Sequence, residues 1–299
     1  MSIPAPLVCV MRSRFCIVVV FASIVLAACS WSTQPPAGVP LEYGYKDVEA
    51  ELDHFLCYTI NDKESDEFDF AKRHKGEAVS AQDQFHKDFV AVSVSQRELL
   101  CNPALKTHGR DHKHDKYVHE HAHLVCYRIG NLKGHLVRIF NQFEPAGSDL
   151  GELKAELLCL PTGKSKDLER APSLPPPEDL SHFLCYKETK PYPLKDVQAK
   201  LADQFIEKKA QFDLHARELL CNPADKLVKI PGAPDRRYPK QHDQAHLVCY
   251  TIDPVDKDLP TAFKVRINNQ FEDALIKTDK AKYLCVPSAK KDLQKASER

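Results

Sequence analysis

Hydrophobic and polar positions alternate around a five-residue stretch that recurs four times: His54-Phe55-Leu56-Cys57-Tyr58, His123-Leu124-Val125-Cys126-Tyr127, His182-Phe183-Leu184-Cys185-Tyr186 and His246-Leu247-Val248-Cys249-Tyr250. A period of two marks a half-buried strand, with Phe55 and Cys57 on one face and Leu56 and Tyr58 on the other. A second strand follows in each copy. Val265, Ile267, Asn269 and Phe271 share a face in the fourth copy, as do Val137, Ile139, Asn141 and Phe143 in the second. Val197, Ala199, Leu201, Asp203 and Phe205 do so in the third, although Leu194 to Phe212 also carries some helical periodicity. A third strand bears the Leu-Cys of a Cys-x-Pro-x-x-Lys signature. It is expected to stop at the proline, which cannot donate to a ladder.

The separation from the phenylalanine of each Asp/Asn-Gln-Phe triplet to the next cysteine is 16, 16, 16 and 14 residues. Length variation is therefore pushed into the connection between strands one and two. The units run over 54–106, 123–164, 182–226 and 246–290. Units one and three share Arg-Glu-Leu-Leu-Cys-Asn-Pro-Ala, whereas two and four share His-Leu-Val-Cys-Tyr and Asn-Gln-Phe, an A-B-A-B order. The fold class expected is all-β, in two tandem duplicated domains over 48–164 and 181–290. Each would be a roughly six-stranded antiparallel barrel or sandwich of two three-stranded units, stapled by disulfides. The proline-rich stretch 165–180 reads as a stiff interdomain linker and 291–299 as a tail.

Composition changes this picture mainly at the N-terminus. Arg12 and Arg14 precede the apolar run Phe15 to Ala28, which is shorter than a membrane span of ~20 residues, and residues 1–28 read as an export signal. Met11 is a candidate true start in place of Met1, because residues 1–10 add nothing to the signal. Leu26-Ala27-Ala28-Cys29 resembles the bacterial lipobox, which implies lipidation at Cys29, and Ser30 after it implies the outer membrane. Residues 29–47 then form a tether. Bases and acids balance at 42 each. Loss of Arg12 and Arg14 with the signal leaves 40 against 42, a formal charge of −2. That gives no global footprint for a nucleic-acid binder.

Eight cysteines remain after Cys29, an even and regularly spaced set that reads as a disulfide framework in an exported chain. No Cys-x-x-Cys occurs, so the usual spacings of zinc ligands and redox pairs are missing. Four cysteines per domain permit three connectivities. Pairing within units gives each copy its own staple: Cys57–Cys101, Cys126–Cys159, Cys185–Cys221 and Cys249–Cys285. A cross-unit pairing would also satisfy the duplication. The ordered succession Cys-Tyr, Asn-Gln-Phe, Leu-Cys-x-Pro-x-x-Lys resembles a family of secreted bacterial repeat domains of unknown function. The resemblance covers about 53–164 and 181–290. It implies a secreted or surface location and supplies no catalytic residues.

Recurring residues are read as structural first. Tyr58, Tyr127, Tyr186 and Tyr250 pack beside the cysteines rather than form an aromatic platform for sugars. Asp83, Asn141, Asp203 and Asn269 accept backbone N–H groups at a strand end or turn. Lys106, Lys164, Lys226 and Lys290 solubilise a turn, and His54, His123, His182 and His246 open strand one. One feature breaks the repeat. Six of the 14 histidines lie between Thr107 and His123, whereas Leu227 to Ala245 has only His242. His119, His121 and His123 on an extended strand would share a face, with Asp111, His112 or His114 as further ligands, a set suited to Zn(II), Cu(II) or Ni(II).

No Gly-x-Ser-x-Gly, His-Glu-x-x-His, phosphate-binding glycine loop or dinucleotide fingerprint is present, and the reading leans away from an enzyme. The function expected is a lipid-anchored, extracytoplasmic binding or structural module of the cell envelope. It requires no cofactor, and its partner is an envelope protein or glycan. The alternatives are a metal-binding surface protein using 108–123 and a carbohydrate-active hydrolase.

Overall fold

The computed structural model describes residues 44–109, 112–130 and 132–293. The signal 1–28, Cys29 and the tether up to residue 43 lie outside the described residues. Unit one contains α1 (Tyr45–Glu51), β1 (His54–Ile60), α2 (Phe70–Arg73), β2 (Ala78–Gln82), β3 (Val90–Val92) and β4 (Val94–His108), followed by the short β5 (His112–His114). Unit two has β6 (His123–Ile129), β7 (Val137–Phe140), β8 (Ser148–Asp149) and β9 (Leu153–Ser165). Unit three is the long hairpin β10 (His182–Ala202) and β11 (Ala210–Lys229), followed by β12 (Arg236–Tyr238). Unit four has β13 (His246–Pro254), β14 (Lys264–Asn268) and β15 (Asp273–Asp292). The all-β expectation holds, including the stretch 194–212 where helical periodicity competed.

The first and third strands of the four units close a single antiparallel ring. β1 pairs with β4, β4 with β6, β6 with β9, β9 with β10, β10 with β11, β11 with β13, β13 with β15, and β15 with β1. The ladder therefore runs straight across the expected linker, through β9–β10, and joins the first unit to the last. Within the described residues, the strands of both expected domains fall in one compact unit. The 291–299 tail begins inside a strand, since Asp292 pairs with Val137.

All four staples join cysteines within a unit: Cys57–Cys101, Cys126–Cys159, Cys185–Cys221 and Cys249–Cys285. Each joins residues directly opposite one another in the ladder, with Cα atoms 3.9–4.0 Å apart. Such narrow spacing marks pairs that exchange no backbone hydrogen bonds. A proline two residues on falls at another pair of the same kind, so its missing N–H would have pointed away from the partner strand. That explains why the third strands run through Pro103, Pro161, Pro223 and Pro287 instead of stopping there. The alternation then sorts two cores. Phe55, Cys57, Leu99 and their counterparts fill the ring, plugged at one end by Val48 and Leu52 around α1. Leu56, Tyr58 and their counterparts face outward under a second layer.

That second layer interlocks the units. The β2 segment of unit one pairs with the end of β11 in unit three, and the outer part of β10 pairs with the end of β4 in return. Units two and four exchange in the same way: β7 pairs with the end of β15, and β14 with the end of β9. Each unit is thus covered by the unit two places along the chain.

Four disulfides belong to an oxidising, extracytoplasmic compartment. No described helix is long and apolar enough to cross a membrane.

Candidate functional site

The triplets are the joints of this interlock. The Asx oxygen turns back onto its own chain, accepting from Phe85 N at 3.0 Å, Phe143 N at 2.9 Å, and Phe205 N and Phe271 N at 2.8 Å. Its second function lies across the ring. Tyr186 donates to Asp83 at 2.9 Å, while the amides of Asn141 and Asn269 donate to Tyr250 at 2.9 Å and Tyr127 at 2.8 Å. Tyr58 lies against Asp203, and burial followed by that carboxylate pushes its hydroxyl well above the usual tyrosine range. The four tyrosines are fully buried, so they form no surface platform.

Where the triplet holds Asn in place of Asp, a following glutamate supplies the missing charge and is met by an arginine from an A-type unit. Tyr250 donates to Glu144 at 2.6 Å and Tyr127 to Glu272 at 2.8 Å. Arg217 is 1% exposed and donates to Glu144 at 2.7 Å and to both oxygens of Glu188 at 3.0 Å. Arg97 faces Glu272 at 3.6 Å and Asp62 at 3.1 Å. Arg217→Met should cost about 3–5 kcal/mol, because two buried carboxylates lose their cation. Denaturant unfolding of the oxidised protein measures this. Adding Glu188→Gln to Arg217→Met should recover part of the loss, and an unchanged double variant would contradict the account.

The signature lysines are not turn solubilisers. Lys106 and Lys226 are 1% and 0% exposed, because each lysine packs on the triplet phenylalanine of the next unit. Lys106 lies 5.3 Å from the Phe143 ring centroid, Lys164 4.3 Å from Phe205, Lys226 4.7 Å from Phe271 and Lys290 4.3 Å from Phe85. Burial lowers Lys106 and Lys164 to about 7 and pushes Lys226 well down. The four strand-opening histidines are also buried. Their pKa values fall well below the usual range through burial and then through the neighbouring lysine. A girdle of His, Lys, Gln and Phe therefore runs around the ring.

In three repeats the amide nitrogen of the triplet glutamine is engaged by protein, at a backbone carbonyl in two and at the strand-opening histidine in one. Gln84 donates to Asp243 O at 2.6 Å, Gln204 to Glu120 O at 3.0 Å, and Gln142 to His54 Nε2 at 2.9 Å. The fourth is turned around. Gln270 Oε1 accepts from Lys226 Nζ, and His182 Nε2 lies 3.1 Å from the same oxygen. With its oxygen against Lys226 and His182, the amide turns its nitrogen the other way.

Gln270 lines a cleft of about 470 Å³, together with Asn268, Gln241, Tyr238, Glu178, Leu180 and a ledge of Pro161, Pro176, Pro177 and Pro239. His182 and Asn269 complete the lining. Lys226 and His182 underlie Tyr238, at 4.6 Å and 5.7 Å from its ring centroid. Period-two alternation on β14 sends Val265 and Ile267 inward and Asn268 toward the cleft. The proline stretch reaches this place because Gly163 has no Cβ. One built there would meet Leu174 O at 2.9 Å. A larger hollow of about 710 Å³ is lined only by Leu194–Gln198 and Asp213–His215 of one hairpin.

The histidine-rich connection is not the extended ligand strand expected. A turn at residues 119–121, closed by Ala122 N donating to His119 O at 3.0 Å, replaces the strand. His114 meets Asp53 at 3.1 Å, His119 meets Asp179 at 2.9 Å, His121 meets Glu120 at 3.2 Å, and His123 is buried. Asp111 and the side chain of His112 lie outside the described residues. Among the described residues no three His, Cys, Asp or Glu side chains gather into a metal-binding group. The cleft residues were invisible to motif reading. The one signal was that Gln recurs in all four triplets while the segments flanking them differ.

No family model, curated protein or solved structure matches the chain.

Proposed function

We propose that this protein is a lipid-anchored, extracytoplasmic binding module, held through Cys29 at the outer membrane, which presents a rigid cleft to a small polar ligand of the cell envelope. The anchor rests on the lipobox-like Leu26-Ala27-Ala28-Cys29 and on Ser30. The observation that carries the binding reading is the reversed Gln270. Gln270 gives its oxygen to the buried lysine and turns its amide nitrogen toward a cleft that four separate chain segments build. Interlocked units and four staples keep those segments in place before a ligand arrives, which lowers the ordering cost of binding.

The test is a thermal-shift screen of the oxidised full chain against envelope fragments: glycans, peptides and lipid headgroups. At least one class is expected to raise the melting temperature of the native protein and to have no effect on Asn268→Trp, whose ring fills the cleft from its rim. A ligand that stabilises both proteins equally, or a screen in which no class stabilises the native chain, would overturn the reading.

A further inference from the structure

We infer that the cleft takes the end of a neutral oligosaccharide, with one sugar ring lying on Tyr238 and the proline ledge and its hydroxyls bonded by Gln270 and Asn268. The inference rests on the binding-module reading above. It follows from how the lining divides between flat apolar surface and uncharged polar groups.

Gln270 offers two N–H donors and no acceptor, because its oxygen is engaged by Lys226 and His182. Asn268 and Gln241 bring one amide each, able to donate and accept, and Glu178 brings the acceptor at the rim. Asn269 takes no part. Its oxygen accepts from Phe271 N and Glu272 N, and its nitrogen donates to Tyr127 and Thr162. A site that mixes donors and acceptors over a few ångströms matches vicinal hydroxyls, which do both. Flat apolar surface is the other requirement, since a pyranose presents C–H groups on its face. Tyr238 and the four prolines supply it. The volume of about 470 Å³ has room for about two sugar rings.

Charge argues against the competing ligands. Lys226, beneath the cleft, is fully buried and faces Gln270 and two aromatic rings, so it offers an anion nothing. Glu178 would repel an anion, and one exposed carboxylate makes a weak cation site. Proline-rich peptides dock in grooves lined by aromatic side chains. This cleft has a single tyrosine and carries its prolines on its own wall.

The experiment uses the oxidised full chain and four probes: N,N′-diacetylchitobiose, maltose, an anionic sialyllactose and a proline-rich decapeptide. Calorimetry gives affinity, and side-chain amide NMR locates the site. Either neutral disaccharide is expected to bind and to shift the Gln270 amide resonances. Gln270→Glu keeps the oxygens that Lys226 and His182 need while removing both outward donors, so the fold should be retained. It should weaken the sugar about 10-fold or more, and Asn268→Ala should weaken it less. Near-ultraviolet circular dichroism checks that the variants fold. Binding of the decapeptide or sialyllactose in preference to both neutral sugars, with Gln270 shifted, would overturn the sugar assignment and leave the binding module standing. Sugar binding unaffected by Gln270→Glu would overturn the site, and no binding of any probe would overturn the sugar assignment.

Discussion

Residues 44–166, expressed alone in an oxidising compartment, are expected to give no folded monomer, and residues 168–293 likewise. Each half would keep its own two disulfides, for these lie within units. It would lose everything that crosses from units one and two to units three and four. The ring would open at β9–β10 and β1–β15, leaving two long edges without partners. All four exchanges of the outer layer would go with it, exposing Leu56, Tyr58, Tyr127 and Leu158. Asp83 would lose Tyr186 and Asn222, and Asn269 would lose Tyr127 and Thr162, so polar groups built for burial would be stranded. A domain's net stability is a small remainder of large opposing contributions, and losses on this scale exceed it. A full chain cleaved once at an inserted protease site near residue 170 should instead stay associated and keep its near-ultraviolet circular dichroism. A monomeric half that unfolds cooperatively would refute the interlock.

The same contrast explains what the sequence revealed. Alternation located the first strands and sorted Cys57 from Tyr58, because a strand's two faces are a local property. Cysteine pairing was legible for the same reason, since each unit repeats the same two positions. The ring was not. A ladder between β9 and β10 crosses a proline-rich stretch whose composition is that of a linker, and pairing across it leaves no local trace. Nor did a lone Lys in Cys-x-Pro-x-x-Lys signal burial, since lysine is normally exposed. Its recurrence in all four copies alongside a recurring phenylalanine was the available clue: residues that every copy retains belong to the contact every copy makes. Another was the glutamate that follows only the Asn triplets, at Glu144 and Glu272, matched by Arg217 and Arg97 only in units three and one. The cleft depended on which way one amide faces, and that is set by Lys226, 44 residues away in the chain.

Stability should rise steadily from about pH 5.5 to about pH 9, against the usual maximum between roughly pH 5 and 8. His54, His123, His182 and His246 all have folded pKa values pushed well below 6.5, chiefly by burial. For each, the unfolded chain binds the proton more readily. Stability is therefore complete above the unfolded pKa of about 6.5 and is lost as pH falls below it. The lysines extend the slope upward. Lys106 and Lys164 titrate near 7 in the fold and near 10.4 in the unfolded chain, so between those limits unfolding again takes up protons. Each such proton tilts stability by at most ~1.4 kcal/mol per pH unit, and the neighbouring His and Lys of one girdle share that slope rather than add to it. Asp83, held down against its burial by His86, Asn222 and Tyr186, acts in the same direction below about pH 4, whereas Asp62 and Glu272, raised by burial, act in the opposite direction just above it. Thermal unfolding at constant ionic strength, with the disulfides intact, measures the profile. Lys106→Met keeps the packing on Phe143 and removes a proton site, so it should flatten the rise above pH 7 while leaving most of the fall below 6.5. A melting temperature that is level or falls between pH 6 and 9 would show that the girdle carries its charges at little cost, through water reaching the lysines.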